Sequence, residues 1–226
     1  FGGSVTGSHI VFVHGLGGDP KATWGQFPDL IAADAALGKV ETFSFGYPTS
    51  LFRLPFSSKS PKVQTLAGAL RTFIDARSPD GDDLILVCHS LGGIIARRYL
   101  VDEVKRQAKL RVRGLLLYAV PMSGAGLAEV ASHISWRHNQ LRQLCRDSDL
   151  LRDLEADWET LGLSTRLRVR HVVAAQDDVV AESSARSSWG AANVDVIADR
   201  GHIDVVKPLG ADDLPYLVFR NFRRSF

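Results

Sequence analysis

Leu84-Ile85-Leu86-Val87-Cys88-His89-Ser90-Leu91-Gly92-Gly93-Ile94-Ile95-Ala96-Arg97 points to an apolar strand that turns at once into a helix. Leu84–Cys88 is an unbroken apolar run, which marks a strand covered on both faces, as in a parallel sheet. Gly92–Ala108 continues with helical spacing. A strand that turns at once into a helix brings the two elements almost into contact. Small residues are needed two positions before and two after the apex, and Cys88 and Gly92 stand there around Ser90. Such a turn strains the backbone of the apical serine and lifts its hydroxyl clear of the sheet. A serine that merely caps the helix would look the same, so the motif needs partners before it implies chemistry.

The pattern repeats outward from this stretch. His9–Val13, Val40–Phe45, Val112–Val120, Leu167–Ala174 and Val194–Ala198 read as further strands, most of them continuous apolar runs. Pro61–Ala76 and Asn139–Trp158 read as helices between them. Strand and helix in alternation predict an α/β domain, a mostly parallel sheet of about six strands with helices on both faces. We read residues 1–226 as a single domain, with 121–166 as a lid-like helical insertion over the strand ends. Ligands of such sheets bind beyond the carboxyl ends of the strands, so function is sought in the loops that leave those ends.

Those loops carry the residues of one chemistry. His14-Gly15-Leu16-Gly17-Gly18 comes after the first strand and offers backbone N–H groups for an oxyanion hole. Leu16 is the expected donor there, and Leu91, next to Ser90, the second. His202 lies in the turn Asp199-Arg200-Gly201-His202 after the last strand, where it can serve Ser90 as base. The strand ending at Ala174 leads into Asp177 and Asp178; Asp177 is the first choice for the acid and Asp178 the alternative. The order Ser, Asp, His along the chain is that of the α/β-hydrolase fold. The expected catalytic residues are therefore Ser90, Asp177 and His202, working through an acyl-enzyme. His14 is expected to order its glycine loop, and His89 to shape the substrate pocket beside the nucleophile. His133, His138 and His171 show no metal-ligand spacing and read as packing or surface residues, so no metal is expected. No Walker sequence, dinucleotide fingerprint or CxxC is present, and no cofactor is implied.

At this level of detail the chain resembles the lipase-like serine esterases, in particular the serine-active-site-containing proteins and the GPI inositol-deacylase group. The resemblance rests on Phe12–Gly18 with Lys21-Ala22-Thr23-Trp24, on Phe45-Gly46-Tyr47, on Cys88–Gly93 with Ala96-Arg97, and on Gly201-His202 with Val206-Lys207-Pro208. Ala119-Val120-Pro121 followed by Gly124 is also similar, with Met122 where the family has histidine. Cys88 likewise departs from the usual glycine of the elbow. The resemblance runs from about His9 to Pro208. It implies hydrolysis of a carboxylic ester, or acyl transfer, on a lipid-like or acylated substrate. It further implies a sheet trimmed of the two strands that begin the full fold, and a module that often sits beside covalently linked partner domains.

The remaining features bound the reading. Lys and Arg number 27 against 25 Asp and Glu, interleaved along most of the chain, so a nucleic-acid partner is not expected. Arg220, Arg223 and Arg224 form one basic cluster, read as the solvated face of a last helix. Two cysteines, Cys88 and Cys145, make no disulfide framework and suit a reducing compartment. No apolar run approaches the roughly 18–20 residues of a membrane span, and no signal peptide is legible; a cytoplasmic location is the expectation. The start at Phe1, in a segment rich in Gly and Ser, suggests a processed product or a domain cut from a longer protein. Leu141, Leu144, Cys145, Leu151, Leu154 and Trp158 form a helical stripe, either facing an acyl chain or packed on the sheet. Leu51 and Phe52 open an apolar loop that would line the acyl pocket, touch a membrane surface or be buried. Two alternatives stand beside an esterase: a thioesterase or amidase using the same triad, and a catalytically silent hydrolase fold kept as a binding or scaffold module.

Overall fold

The computed structural model describes residues 8–47, 63–78, 83–122, 148–180 and 193–226. Six strands form one sheet: β1 (Ser8–Val13), β2 (Val40–Phe45), β3 (Leu84–His89), β4 (Val112–Tyr118), β5 (Arg168–Ala174) and β6 (Val194–Ile197). Their order across the sheet is β2-β1-β3-β4-β5-β6, and every neighbouring pair is parallel. The helices are α1 (Phe27–Ala33), α2 (Val63–Arg77), α3 (Leu91–Lys105), α4 (Ser148–Thr160), α5 (Leu163–Arg166) and α6 (Leu214–Arg224).

Alternation along each strand builds two cores, one on each face of the sheet. Val11, Val13, Leu84, Leu86, Cys88, Leu115 and Leu117 face α2, α3 and α4. Ile10, Phe12, Ile85, Val87, Leu116 and Tyr118 face the other way, toward Phe27 and Ile31 of α1 and Tyr216, Phe219 and Phe222 of α6. That two-sided demand is why these strands carry apolar residues on both faces over most of their length. The short α1 gives no helical signal in the sequence: it has seven residues, with Pro28 in its first turn, and only Phe27 and Ile31 are buried. Where they are described, the expected strands and helices are otherwise observed with shifted ends, and two of these shifts have a clear local cause. β4 stops at Tyr118 because Ala119 takes a φ of 49°, outside the extended region. α3 stops at Lys105 because Gln107 turns left-handed (φ 56°), and Ala108 N–H closes back on the Glu103 carbonyl.

The stripe on α4 points inward where it is described. Leu151, Leu154 and Trp158 are buried in the core beside α3, and Glu155 pairs with the fully buried Arg97 of α3. Leu141, Leu144 and Cys145 lie outside the described residues, as does the loop with Leu51 and Phe52. The basic cluster on α6 is less solvated than expected, since Arg220 pairs with Asp34 at 2.9 Å. Among the described residues, no helix is long and apolar enough to cross a membrane.

The chain leaves β1 toward β2 on one side and then crosses to β3 on the other. The strand order therefore reverses between β1 and β3, and a crevice opens at their carboxyl ends. The His14–Gly18 loop comes directly after β1 and Ser90 directly after β3, so both lie at this switch point.

Candidate active site

Ser90 sits between β3 and α3 with φ 52° and ψ −127°, a conformation that serine rarely adopts. Two contacts hold it there: Ser90 N–H donates to the Tyr118 carbonyl (3.0 Å), and Gly93 N–H donates to the Ser90 carbonyl (2.9 Å). Sterics explain the glycines around it. A Cβ on Gly92 would lie 2.1 Å from the Val13 carbonyl oxygen, and one on Gly15 would lie 2.8 Å from Ser90 Cβ. The position two before Ser90 has no such constraint. Cys88 points into the core shared with α3, fully buried, so a small side chain is accommodated where a glycine is usual.

His202 brings its ring to this serine. Its Nε2 lies 3.1 Å from Ser90 Oγ, and its Nδ1 lies 2.9 Å from Asp177 Oδ2. A carboxylate only accepts, so Nδ1 carries the proton of the neutral imidazole. Nε2 is then left to accept the Ser90 hydroxyl proton. Asp177 is oriented by its other oxygen, which accepts the N–H groups of Val179 and Val180, both at 2.8 Å. Asp178 is exposed in the wall of the neighbouring cavity. Asp177 rather than Asp178 thus reaches His202.

The glycine loop closes the other side. Gly18 N–H donates to the Gly15 carbonyl (3.2 Å), a four-residue turn with Gly17 at φ 71°, which glycine adopts without strain. Leu16 is the second residue of that turn, and it lines the cavity with His202. Leu91 opens α3, so its N–H has no carbonyl four residues back within the helix. His14 is fully buried; it donates from Nδ1 to the Gly15 carbonyl (2.9 Å) and stacks on Tyr47, whose hydroxyl donates to the His14 carbonyl (2.7 Å). Burial holds its pKa below the usual value, so it stays a neutral loop-ordering group. Asp19 accepts from the N–H groups of Lys21 and Ala22 and donates its own N–H to Thr23 Oγ1 (2.9 Å), which fixes the loop as it runs into the buried Trp24.

A cavity of about 860 Å³ opens beside His202, with Leu16, Asp19, His89, Asp178, Ile203 and Lys207 in its wall. A larger groove of about 1150 Å³ lies at the opposite, amino-terminal edge of the strands, around Val112, Arg168 and Asn193. It is remote from Ser90, and sheets of this type bind at the carboxyl ends, so the smaller cavity is the candidate. Met122 is buried in the core and its sulfur lies 3.8 Å from Arg97 Nη1, rather than in the described wall. His171 is buried on β5 as a packing residue, whereas His133 and His138 lie outside the described residues. Among the described residues, no three His, Cys, Asp or Glu side chains cluster as metal ligands. Nothing in the sequence pointed to one contact of His89: its Nε2 lies 2.8 Å from the backbone carbonyl of His202.

The six-stranded parallel sheet with helices on both faces is matched by comparison with known proteins. Residues 10–211 match the model of the alpha/beta hydrolase family. The chain belongs to that family. It is 27% identical to Protein SERAC1 of Danio rerio, over 71% of this chain and 29% of that protein, so it spans about three-tenths of that relative. Among solved structures it is similar to MGS-MChE2, an alpha/beta hydrolase enzyme from the metagenome of Mar Chica lagoon sediments (TM-score 0.62, 21% identity, covering 97% of this chain and 93% of that one). It is also similar to the monoacylglycerol lipase of Paleococcus ferrophilus (TM-score 0.60, 15% identity, 97% of each chain). At these identities the two solved structures speak to the fold alone.

Proposed function

We propose that the chain is a serine hydrolase that cleaves a carboxylic ester of a lipid-like or acylated substrate. The observation that carries the reading is the unbroken chain from Ser90 Oγ to His202 (3.1 Å) to Asp177 (2.9 Å) at the switch point of the sheet. His202 Nε2 takes the Ser90 proton as Oγ attacks the ester carbonyl. Asp177 holds the imidazole in the required tautomer and stabilises the imidazolium that forms. The negative oxygen of the tetrahedral intermediate is received by the N–H groups of Leu16 and Leu91. Each such donor is worth about 3–4 kcal/mol in enzymes of this type. Collapse expels the alcohol, which takes its proton from His202. Water, deprotonated by the same histidine, then releases the acid from Ser90. Leu16, Val179 and Ile203 supply the apolar part of the wall against which an acyl chain lies.

The test is labelling with a fluorophosphonate, read by intact mass, with Ser90→Ala alongside. Stoichiometric labelling that disappears in the variant supports the reading, and ester turnover should fall by about 10⁶-fold. A folded wild-type chain that takes no label would favour the silent-scaffold alternative.

A further inference from the structure

We infer that His89 is a positioning residue for the base: its ring N–H anchors the backbone of His202 to the strand that carries the nucleophile. The inference rests on the proposed role of His202. His202 stands in a turn after β6, a four-residue strand whose one strand neighbour among the described residues is β5, so the sheet itself holds this turn weakly. Other contacts hold it instead. Gln176 N–H donates to the Arg200 carbonyl (3.0 Å), and Val205 N–H to the Gly201 carbonyl (3.2 Å). Arg200 forks onto Asp213 (2.8 and 2.9 Å) at the start of α6. None of these ties the turn to Ser90.

His89 does. It is the last residue of β3 and the covalent neighbour of Ser90, and its Nε2 lies 2.8 Å from the His202 carbonyl, 113 positions away. The distance between nucleophile and base is therefore set through one peptide link and one hydrogen bond. A carbonyl only accepts, so Nε2 must bear the proton, and the His89 ring is the neutral Nε2–H tautomer. Its surroundings agree. The rings of His89 and His202 lie 4.8 Å apart, and a Cβ added to Gly15 would come within 3.2 Å of His89 Nδ1. Burial first, then the neighbouring His202, push the His89 pKa down to about 3. His89 thus stays uncharged while His202 becomes an imidazolium, and no like-charge repulsion opposes that step.

Two kinds of experiment test this. Long-range ¹H–¹⁵N correlation spectra, assigned with His89→Gln, should show His89 as the neutral Nε2–H tautomer from about pH 5 to pH 8. An Nδ1–H tautomer, or titration within that range, overturns the inference even if the chain turns over no ester. His89→Phe keeps a ring and loses the donor; kcat and the rate of fluorophosphonate labelling should fall about 100-fold, with KM almost unchanged. His89→Gln keeps an N–H and should recover most of that loss. A folded His89→Phe that labels like the wild type, or a His89→Gln as slow as His89→Phe, also overturns it. Failure of the wild type to label would instead remove the hydrolase reading, while the spectra still decide the hydrogen bond.

Discussion

Ser90 and His202 meet at 3.1 Å, yet the two ends of that contact are held by different physics. Ser90 comes after β3, a strand buried at all six positions in the middle of the sheet, and leads straight into a helix packed on the core. Its place is set by the main chain, and Gly92 and Gly15 have no room for a side chain. His202 comes after β6, of whose four residues only Ile197 is buried, at the end of the strand order. Its place is set by side chains: Asp177 on the ring, His89 on the carbonyl, and Arg200 with Asp213 on the turn. Steric exclusion tolerates no alternative, whereas a hydrogen-bonded turn can be loosened one bond at a time. On the proposed reading, the Ser90 end should therefore fail by losing the fold, and the His202 end by losing rate while the fold survives.

The sharpest break at the base end is Asp177→Asn. The amide cannot hold His202 in the Nδ1–H tautomer as a carboxylate does, and kcat should drop about 10⁴-fold with the folded state intact. Asp178→Asn, one residue on and exposed in the cavity wall, should change kcat only a few-fold; steady-state kinetics on one ester compares the two. Equal effects would erase the distinction between the carboxylates.

At the nucleophile end, Gly92→Ala puts a methyl group 2.1 Å from one backbone oxygen and 2.6 Å from another, neither of which can rotate away. We expect a loss of about 3 kcal/mol in stability, visible as a lower denaturant midpoint. An unchanged midpoint would mean that main-chain contact does not set the elbow.

The last effect concerns protons. Burial pushes His89 and His171 down to about 3 from an ordinary 6.5. The folded chain refuses protons that the unfolded chain takes up below pH 6.5, so both groups favour the folded state fully above that pH. As pH falls from 6.5 toward 3, each subtracts on the order of 1 kcal/mol per pH unit. Urea denaturation at several pH values should show that slope, and His171→Leu should reduce it. A variant that lowers stability equally at every pH would contradict the assignment of the slope to His171.

Much of this was legible in one dimension because it depends on local rules. Runs apolar at every position mean strands covered twice, and their alternation with helical stretches means a parallel sheet. Small residues around Ser90 mean a strand and helix in near contact. Cys88 shows the margin in such rules, since the chain departs from the usual glycine and the core absorbs the side chain. The short α1 escaped because two buried residues on seven carry too little periodicity to separate a helix from a loop.

The alternation, and with it the residues at each strand end, follows from the sequence alone: the glycine loop, Ser90, the Asp177–Asp178 pair and His202. Backbone chemistry and hydrophobic period act over a few residues, so they can be read from neighbours. Which of these groups meet is fixed by the folded structure. Asp177 reaches His202 because its other oxygen is tied to Val179 and Val180, a choice between adjacent carboxylates that composition cannot make. The stripe on α4 buries Leu151, Leu154 and Trp158 against α3, where periodicity allowed a lid as well. The His89 bond to His202 joins side chain to backbone across 113 positions. A hydrogen bond is directional and depends on where two distant segments stop in space, and no local pattern encodes that.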